Sequence, residues 1–343
     1  MREAQRSGCG HLLARVADGA LWLYSGGLLA WSFARAIAGD RSALVVVLGH
    51  LGIWLFAPLL AWLPWLAIRR SRSGLVLLAV PALLFVRHYG AFFLPRPVPA
   101  GDAGAAFSVL TLNVQYTNTH DRAVADTLLA AGADVLALQE VTLLRWQHLA
   151  AALEGHYAHR TYYGPAGLAV FSRYPILSEK PVPLQPWPAQ SLVLQVGERR
   201  VHLINAHLAR VGLLHFLATG DTGPMQAAAQ TRSGQVRQIE QVIREMGLPA
   251  VLACDCNMTD LSPAYELATT FLQDAYRARG WGPGHTFLVP RGLEIPSPVN
   301  LPAQRLDYLF YSGEIRALKA RVLRRDSGSD HRALVGEFDL GPP

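Results

Sequence analysis

Residues 43–68 run for twenty-six positions without a charged side chain. A helix of about 20 apolar residues crosses the ~30 Å hydrocarbon core of a bilayer, so this stretch predicts a membrane span and limits what the first third of the chain can become. Two weaker candidates flank it: residues 19–38, interrupted by Arg35, and residues 75–94, interrupted by Arg87 and His88. A signal peptide would account for the first alone, but no small-residue cleavage site follows it and more apolar sequence does. The expectation is an N-terminal bundle of about three transmembrane helices over residues 1–94. Trp22, Trp31, Trp54, Trp62 and Trp65 all fall within it, either as interfacial rings or as lipid-facing filler.

Charge orders these spans. Arg2, Arg6 and Arg15 precede the first, and Arg69, Arg70 and Arg72 fill the loop before the third, whereas Arg41 and Arg96 fall on the opposite side. The positive-inside rule places the six in the cytoplasm, which predicts a multi-pass protein of the cell membrane whose remainder is extracytoplasmic. Residues 95–105, rich in Pro, Gly and Ala, read as a short semi-rigid linker, and residues 106–343 as the second domain. The basicity belongs to the anchor: residues 1–100 hold ten Arg against three acids, residues 101–343 twenty-one Lys and Arg against twenty-two acids. Proteins that grip long nucleic acid use clustered Lys and Arg, so a near-neutral domain argues against that partner.

Beyond residue 105 the pattern changes to short, apolar, β-prone runs that close on a polar side chain. Residues 110–114 carry Asn113, residues 135–141 carry Glu140, residues 201–208 carry His207, and residues 251–257 carry Asp255 and Asn257. A strand that is apolar along its length and polar at its carboxyl end sets that polar group at the rim of a sheet. Residues 167–176 repeat the design, with Arg173 and Tyr174 closing a turn before Pro175. Residues 305–311 bring Asp307, and Ser329, Asp330 and His331 close the series. Such groups suit phosphate ester cleavage, which asks for a cation held against phosphoryl oxygens, a base that orients water, and donors for the developing charge. Strands are expected near 107–114, 134–140, 168–173, 191–196, 201–206, 249–255, 305–311, 315–323 and 332–338, with helices at 121–131, 142–153, 235–246 and 263–272. Cys254 and Cys256 lie two apart on one expected strand, where a bridge would be strained, so they read as buried thiols, with Cys9 remote.

In this order and spacing the six blocks resemble the endonuclease/exonuclease/phosphatase superfamily, the DNase I-like fold, over about residues 106–339. The resemblance implies an α/β two-sheet sandwich with its site at the sheet edges, here preceded by the helical bundle. It implies that Glu140 carries a divalent metal, Mg²⁺ with Mn²⁺ as a substitute, and that Asn113 helps hold metal and phosphate. Asp255 would orient or deprotonate the attacking water, and Asn257 and His207 would contact phosphoryl oxygens. His331 would donate to the phosphate while paired with Asp307, and Asp330 would be a second metal ligand or a His-orienting carboxylate. Where many members carry Gly-Asp-Phe-Asn, this chain has Cys254, Asp255, Cys256 and Asn257, which keeps both chemical residues. The position two after Asn113, often acidic in nuclease members, is Gln115, which favours one metal ion over two.

The layout of a three-span anchor with an outward domain resembles bacterial phosphatases of the type linked to teicoplanin resistance, proposed to act on undecaprenyl diphosphate. The leading expectation is a membrane-anchored, metal-dependent phosphatase acting on a lipid phosphate or diphosphate at the outer leaflet. The alternatives are a phosphodiesterase acting on phospholipid head groups or extracellular nucleic acid, and a non-catalytic binding module. Retention of Asp255 and of the Asp307 and His331 pair speaks against the last, because binding alone needs no base. Residues 209–220, apolar and directly after His207, read equally as a lid or membrane-facing lip and as a segment packed on the core. Arg87, ~18 Å along the third expected helix, either snorkels to the outer head groups or, with Arg35, meets the phosphate of the lipid. The oligomeric state is left open.

Overall fold

The computed structural model describes residues 2–94, 97, 104–289, 291 and 299–341, with backbone only for residues 2–13, 213 and 214. Most of the expected linker lies outside the described residues. The N-terminal region is helical: α1 (Arg2–Ala38), α2 (Ala43–His50), a 3-10 turn (Gly52–Phe56), α3 (Leu59–Arg69), α4 (Arg72–Tyr89) and a 3-10 turn (Gly90–Phe93). The uncharged run expected as one span is therefore divided. Gly52 takes a left-handed conformation, φ +58°, which glycine adopts without strain, and Pro58 caps the start of α3, where its missing N–H costs nothing. Two stretches of described helix are long and apolar enough to cross a membrane, Gly52–Arg69 and Arg72–Phe93. The first expected span, residues 19–38, lies within α1 and is not one of them.

The remainder is built on two six-stranded sheets. In chain order the strands are β1 (Ala106–Asn113), β2 (Val135–Gln139), β3 (His159–Tyr163), β4 (Leu168–Ser172), β5 (Ile176–Val182), β6 (Ala189–Val196), β7 (Arg199–His207), β8 (Ala250–Asp255), β9 (Gln273–Asp274), β10 (Phe287–Val289), β11 (Leu301–Gln304), β12 (Asp307–Tyr311), β13 (Arg316–Val322) and β14 (Leu334–Asp339). The first sheet runs β13-β14-β1-β2-β4-β3, the second β5-β6-β7-β8-β12-β9, and β10 and β11 form a separate hairpin. Helices α5 (Asp121–Ala131), α6 (Leu143–Ala152), α7 (Leu213–Thr219), α8 (Gly223–Met246), α9 (Pro263–Ala268) and α10 (Ala275–Arg279) complete the sandwich. Alternate residues of β1, β2 and β4 (Val109, Val135, Ala137, Val170) meet Leu192, Leu203, Val251 and Leu309 between the sheets, while Leu110, Leu136 and Phe171 turn outward under α5 and α6. Both faces of the central strands are thus covered, which is why they read as continuous apolar runs.

Register sets the site. β8 pairs in parallel with β7 and antiparallel with β12, so that His207 and Asp307 both stand opposite Asp255. In the other sheet β1 and β2 run parallel with Asn113 opposite Gln139, and β14 begins beside the carboxyl end of β1. The expected buried thiols are instead bridged, Cys254 to Cys256. β8 ends at Asp255, between the two cysteines, and their Cα atoms lie 5.1 Å apart, within disulfide range and closer than the ~6.6 Å of two full strand steps.

The helical region and the sandwich share one apolar cluster. Leu21, Trp31, Val45, Leu66 and Leu78 belong to the same buried set as Phe107, Val251 and Tyr276. At their junction Arg305, fully buried, is ion-paired with Asp260 and, at 2.7 Å, with Asp274, and its guanidinium lies over the rings of Phe92, Tyr276 and Tyr308. Removing one partner of a buried charge cluster strands the others. Arg305→Met is expected to destabilise the full chain by about 3–5 kcal/mol, read as a lowered denaturant midpoint in detergent; an unchanged midpoint would show that the cluster carries no such weight.

Candidate active site

The polar rims of both sheets converge on a crevice of about 320 Å³ lined by Asn113, Gln115, Tyr116, Thr117, Glu140, Asp255, Asn257, Asp330 and His331, together with His50, Arg210, Val211, Gly212, Phe287, Gln304 and Leu306. A wider and shallower groove of about 740 Å³ between residues 154–161 and 176–179 holds no comparable convergence of carboxylates, amides and imidazoles, and it lies at the edge strands β3 and β5 rather than at the strand ends. The chemistry belongs to the smaller crevice.

Asp255 is its centre. The Asn113 side-chain amide donates to Asp255 Oδ2 at 2.8 Å and to Glu140 Oε1 at 3.0 Å, so one amide from the first sheet holds a carboxylate from each sheet. The Asn257 backbone N–H donates to Asp255 Oδ1 at 3.1 Å. His331 Nδ1 lies 2.7 Å from Asp307 Oδ2, which leaves Nε2 facing Asp255 at 3.8 Å. Ser329 sets that imidazole: its hydroxyl donates to the Asn113 carbonyl at 2.7 Å and accepts from the His331 backbone N–H at 3.0 Å. Tyr116 N–H donates to Glu140 Oε2 at 2.9 Å. Three non-glycine residues here, Gln115, Glu140 and Asn257, take positive φ of 59°, 58° and 48°, a conformation that costs energy and persists where the surroundings impose it.

The electrostatics follow from burial. Burial alone would raise Asp255, but the imidazoles of His331 and His207 and the bonds from Asn113 and Asn257 hold it below the usual carboxylate range. Burial likewise opposes charge on His331, yet Asp307, Asp255 and Asp330 lift it well above the ordinary imidazole value. Asp330 is pushed upward by burial, with Glu140 and Asp255 adding to the push. Crowded acid of this kind suits a divalent cation, which takes oxygen ligands. The buried Nε2 of His207 has no hydrogen-bond partner, although it stands 3.8 Å from Glu140 Oε1 and 3.5 Å from Asp255 Oδ2. Asp255, Asp307 and His331 bring ligand-type atoms within 4.8 Å of one another, but His331 Nδ1 is already committed to Asp307. Glu140 and Asp330 remain as the carboxylate donors that fit a cation on the other side, with Asn113 beside them, its amide oxygen accepting from the Gln115 N–H at 2.8 Å.

Of the residues expected from sequence, Asn113, Glu140, Asp255, Asn257, Asp330 and His331 line the crevice. Asp307 stands behind His331, and His207 lies beside Asp255 and Glu140, stacked on Trp187 with centroids 5.3 Å apart. Asn257 spends its side-chain N–H on the Leu208 carbonyl at 3.1 Å, which leaves its amide oxygen toward other partners. Arg87, on α4, is exposed and is not among the lining residues. Arg35 is engaged elsewhere, with Leu261 O at 2.8 Å and Glu266 at 2.7 Å. Sequence reasoning missed His50, Arg210, Phe287 and Gln304. Arg210, whose guanidinium lies 3.9 Å from Glu140 Oε1, carried a signal, since it follows His207 by three residues.

Residues 110–331 match the Endonuclease/Exonuclease/phosphatase family. The chain belongs to that family. It is accordingly a metal-dependent phosphoester hydrolase. Among solved structures, the endonuclease/exonuclease/phosphatase from Bacteroides vulgatus is similar at TM-score 0.54 and 18% identity, over 68% of this chain and 99% of its own. Truncated TDP2 of Caenorhabditis elegans gives 0.53 and 20%, over 68% and 98%, and D. rerio TDP2 complexed with a single-strand DNA product gives 0.55 and 15%, over 68% and 99%. At these identities the likenesses establish the sandwich fold. No curated protein matches the chain.

In this hydrolase, Asp255→Asn and His331→Ala are each expected to lower turnover by about 10²–10⁴-fold, the usual span for a general base or a charge-stabilising donor, measured per folded molecule because His331→Ala also strands buried Asp307 and should lower the unfolding midpoint. Near wild-type turnover in either would remove these assignments. Glu140→Gln should raise the metal concentration needed for half-maximal rate at least tenfold, read by titrating metal into EDTA-treated protein.

Proposed function

We propose that this hydrolase is a membrane-anchored phosphatase that cleaves a lipid phosphate or diphosphate, with the crevice facing the outer leaflet. The observation that carries the reading is the joint between apolar helices and crevice: α2 ends at the pocket wall, and the faces of α1 and α3 that turn away from the protein carry Leu23, Leu60 and Ile68, each about 80% exposed. Exposed apolar surface of that extent fits a bilayer. Exposed apolar side chains also stand on the sandwich, Trp281, Leu301 and Leu217, and Trp281 lies edge-on against Phe93 at the end of the helical region, 6.2 Å between centroids.

Topology supports the same side. α3 and α4 form a hairpin whose turn carries Arg69, Arg70 and Arg72, while the far end of α4 meets the sandwich, where Phe92 packs against Tyr276 at 6.2 Å. Arginines retained in the cytoplasm put the hydrolase domain outside.

In the reaction, Asp255, held ionised, takes the proton of the attacking water. His331, held as imidazolium by Asp307, donates to a phosphoryl oxygen, and His207 offers its free Nε2 to another. One Mg²⁺ at Glu140, Asn113 and Asp330 would supply charge neutralisation of the phosphoryl group.

Three measurements test this. In detergent, EDTA should abolish hydrolysis and Mg²⁺ restore it. In a panel of undecaprenyl diphosphate, phosphatidic acid, sphingomyelin and DNA, phosphate release should be fastest from the first two; preference for DNA or sphingomyelin would favour a phosphodiesterase. A C-terminal alkaline phosphatase fusion should be active and a green fluorescent protein fusion dark, and the reverse pattern would refute an outer-leaflet substrate.

A further inference from the structure

One lining residue of the crevice lies outside the stretch that matches the family: His50, the last residue of α2. It is the only titratable side chain in residues 43–68. It is buried at 6% exposure, and its ring makes no hydrogen bond or ion pair among the described residues. His50 lines both the crevice and a smaller cavity that it shares with Arg232 and Ser262, and its unpaired ring is available to a group bound in the crevice.

The backbone around His50 is clamped by residues adjacent to the catalytic set. The His50 carbonyl accepts from Gln304 Nε2 at 2.5 Å, and the Gly49 carbonyl accepts from Thr259 Oγ1 at 2.7 Å. Thr259 follows Asn257 by two residues. Gln304 pairs with Phe287, whose ring stands edge-on to His331 at 5.2 Å. Gly49 approaches the sandwich so closely that a Cβ there would sit 3.4 Å from the Leu261 carbonyl. Four residues along, Trp54 Nε1 donates to the Ala303 carbonyl at 2.6 Å. The imidazole is thus held at a set place on the crevice wall, referenced to the strands that carry the chemistry.

We propose that His50 contacts substrate: its imidazole hydrogen-bonds a non-reacting oxygen of the bound phosphoester, so that the helical anchor supplies a side chain of the active pocket as well as a tether. This rests on the crevice being the phosphoester site and not on the substrate being a lipid.

The test uses the full-length protein in detergent with Mg²⁺, a soluble ester, p-nitrophenyl phosphate, and an amphiphilic one, dodecyl phosphate. His50→Gln keeps a side-chain donor near the position of Nε2, and His50→Phe keeps the ring volume and loses both nitrogens. If His50 bonds the substrate, the Gln variant should stay within about threefold of wild-type kcat/KM and the Phe variant should fall about tenfold or more, mainly through KM, as loss of one hydrogen bond implies. Unfolding midpoints should match in all three. A packing role gives the opposite order, with Phe tolerated and Gln impaired, and would overturn the proposal, as would equal losses or none. A wild-type protein that cleaves the soluble ester but no lipid would sink the lipid reading and leave this one standing; one inert toward every ester would sink both.

Discussion

The site depends on keeping one carboxylate ionised where water is nearly excluded. Asp255 is 1% exposed, and taking a charge out of water costs several kcal/mol unless neighbours replace the lost hydration. Those neighbours come from everywhere in the domain: His207 from β7, Asp307 from β12 with its imidazolium partner His331 from the segment before β14, and Asn113 from the opposite sheet. The Asn113 amide is therefore a structural tie between the sheets, since it bridges Asp255 and Glu140. A slip of one residue in β7, β8 or β12 would reverse which face each side chain points to, and the charge would lose its partners together.

Much of this was legible because the polar residue at each strand end interrupts an otherwise apolar run. Nine expected strands correspond to β1, β2, β4, β6, β7, β8, β12, β13 and β14, and the expected helices at 121–131 and 142–153 match α5 and α6 within a residue. The elements that were not foreseen lack that pattern. β3 is His159–Tyr163, polar and half-exposed at the edge of its sheet, and β5 contains Pro181, tolerated because it too is an edge strand. α8 begins twelve residues earlier than expected, at Gly223 rather than 235, because its first half packs Met225 and Ala229 against Val46 and Val211. Such packing is long-range, and local periodicity carries no trace of it.

The cysteine pair shows the same limit. β8 ends between the two cysteines, at Asp255, and there their Cα atoms come to 5.1 Å, closer than the ~6.6 Å of two full strand steps. Positive φ at Gln115, Glu140 and Asn257 also falls at strand ends, where each aims a backbone or side-chain group inward. None could be inferred from residue type alone, since only Asn among them tolerates that conformation readily.

The division of the uncharged run has a physical explanation that involves the sandwich. In one continuous helix the carbonyls of Gly49 and His50 would accept from the N–H groups four residues on. The chain instead enters a 3-10 turn at Gly52: the Gly49 carbonyl keeps the Leu51 N–H, and the His50 carbonyl is left as one of the orphans that every helix end exposes. In hydrocarbon that carbonyl would have no partner, at a cost of several kcal/mol. Here Gln304 supplies the missing donor, Thr259 adds a second to Gly49, and Trp54 returns a donor to the Ala303 carbonyl. Breaking the helix and docking it on the hydrolase domain are therefore one event: the break frees the His50 carbonyl, and the Gln304 amide that satisfies it sets His50 at the crevice wall. An apolar run read from sequence alone looks uninterrupted, because the donors that allow its interruption lie more than two hundred residues away in sequence.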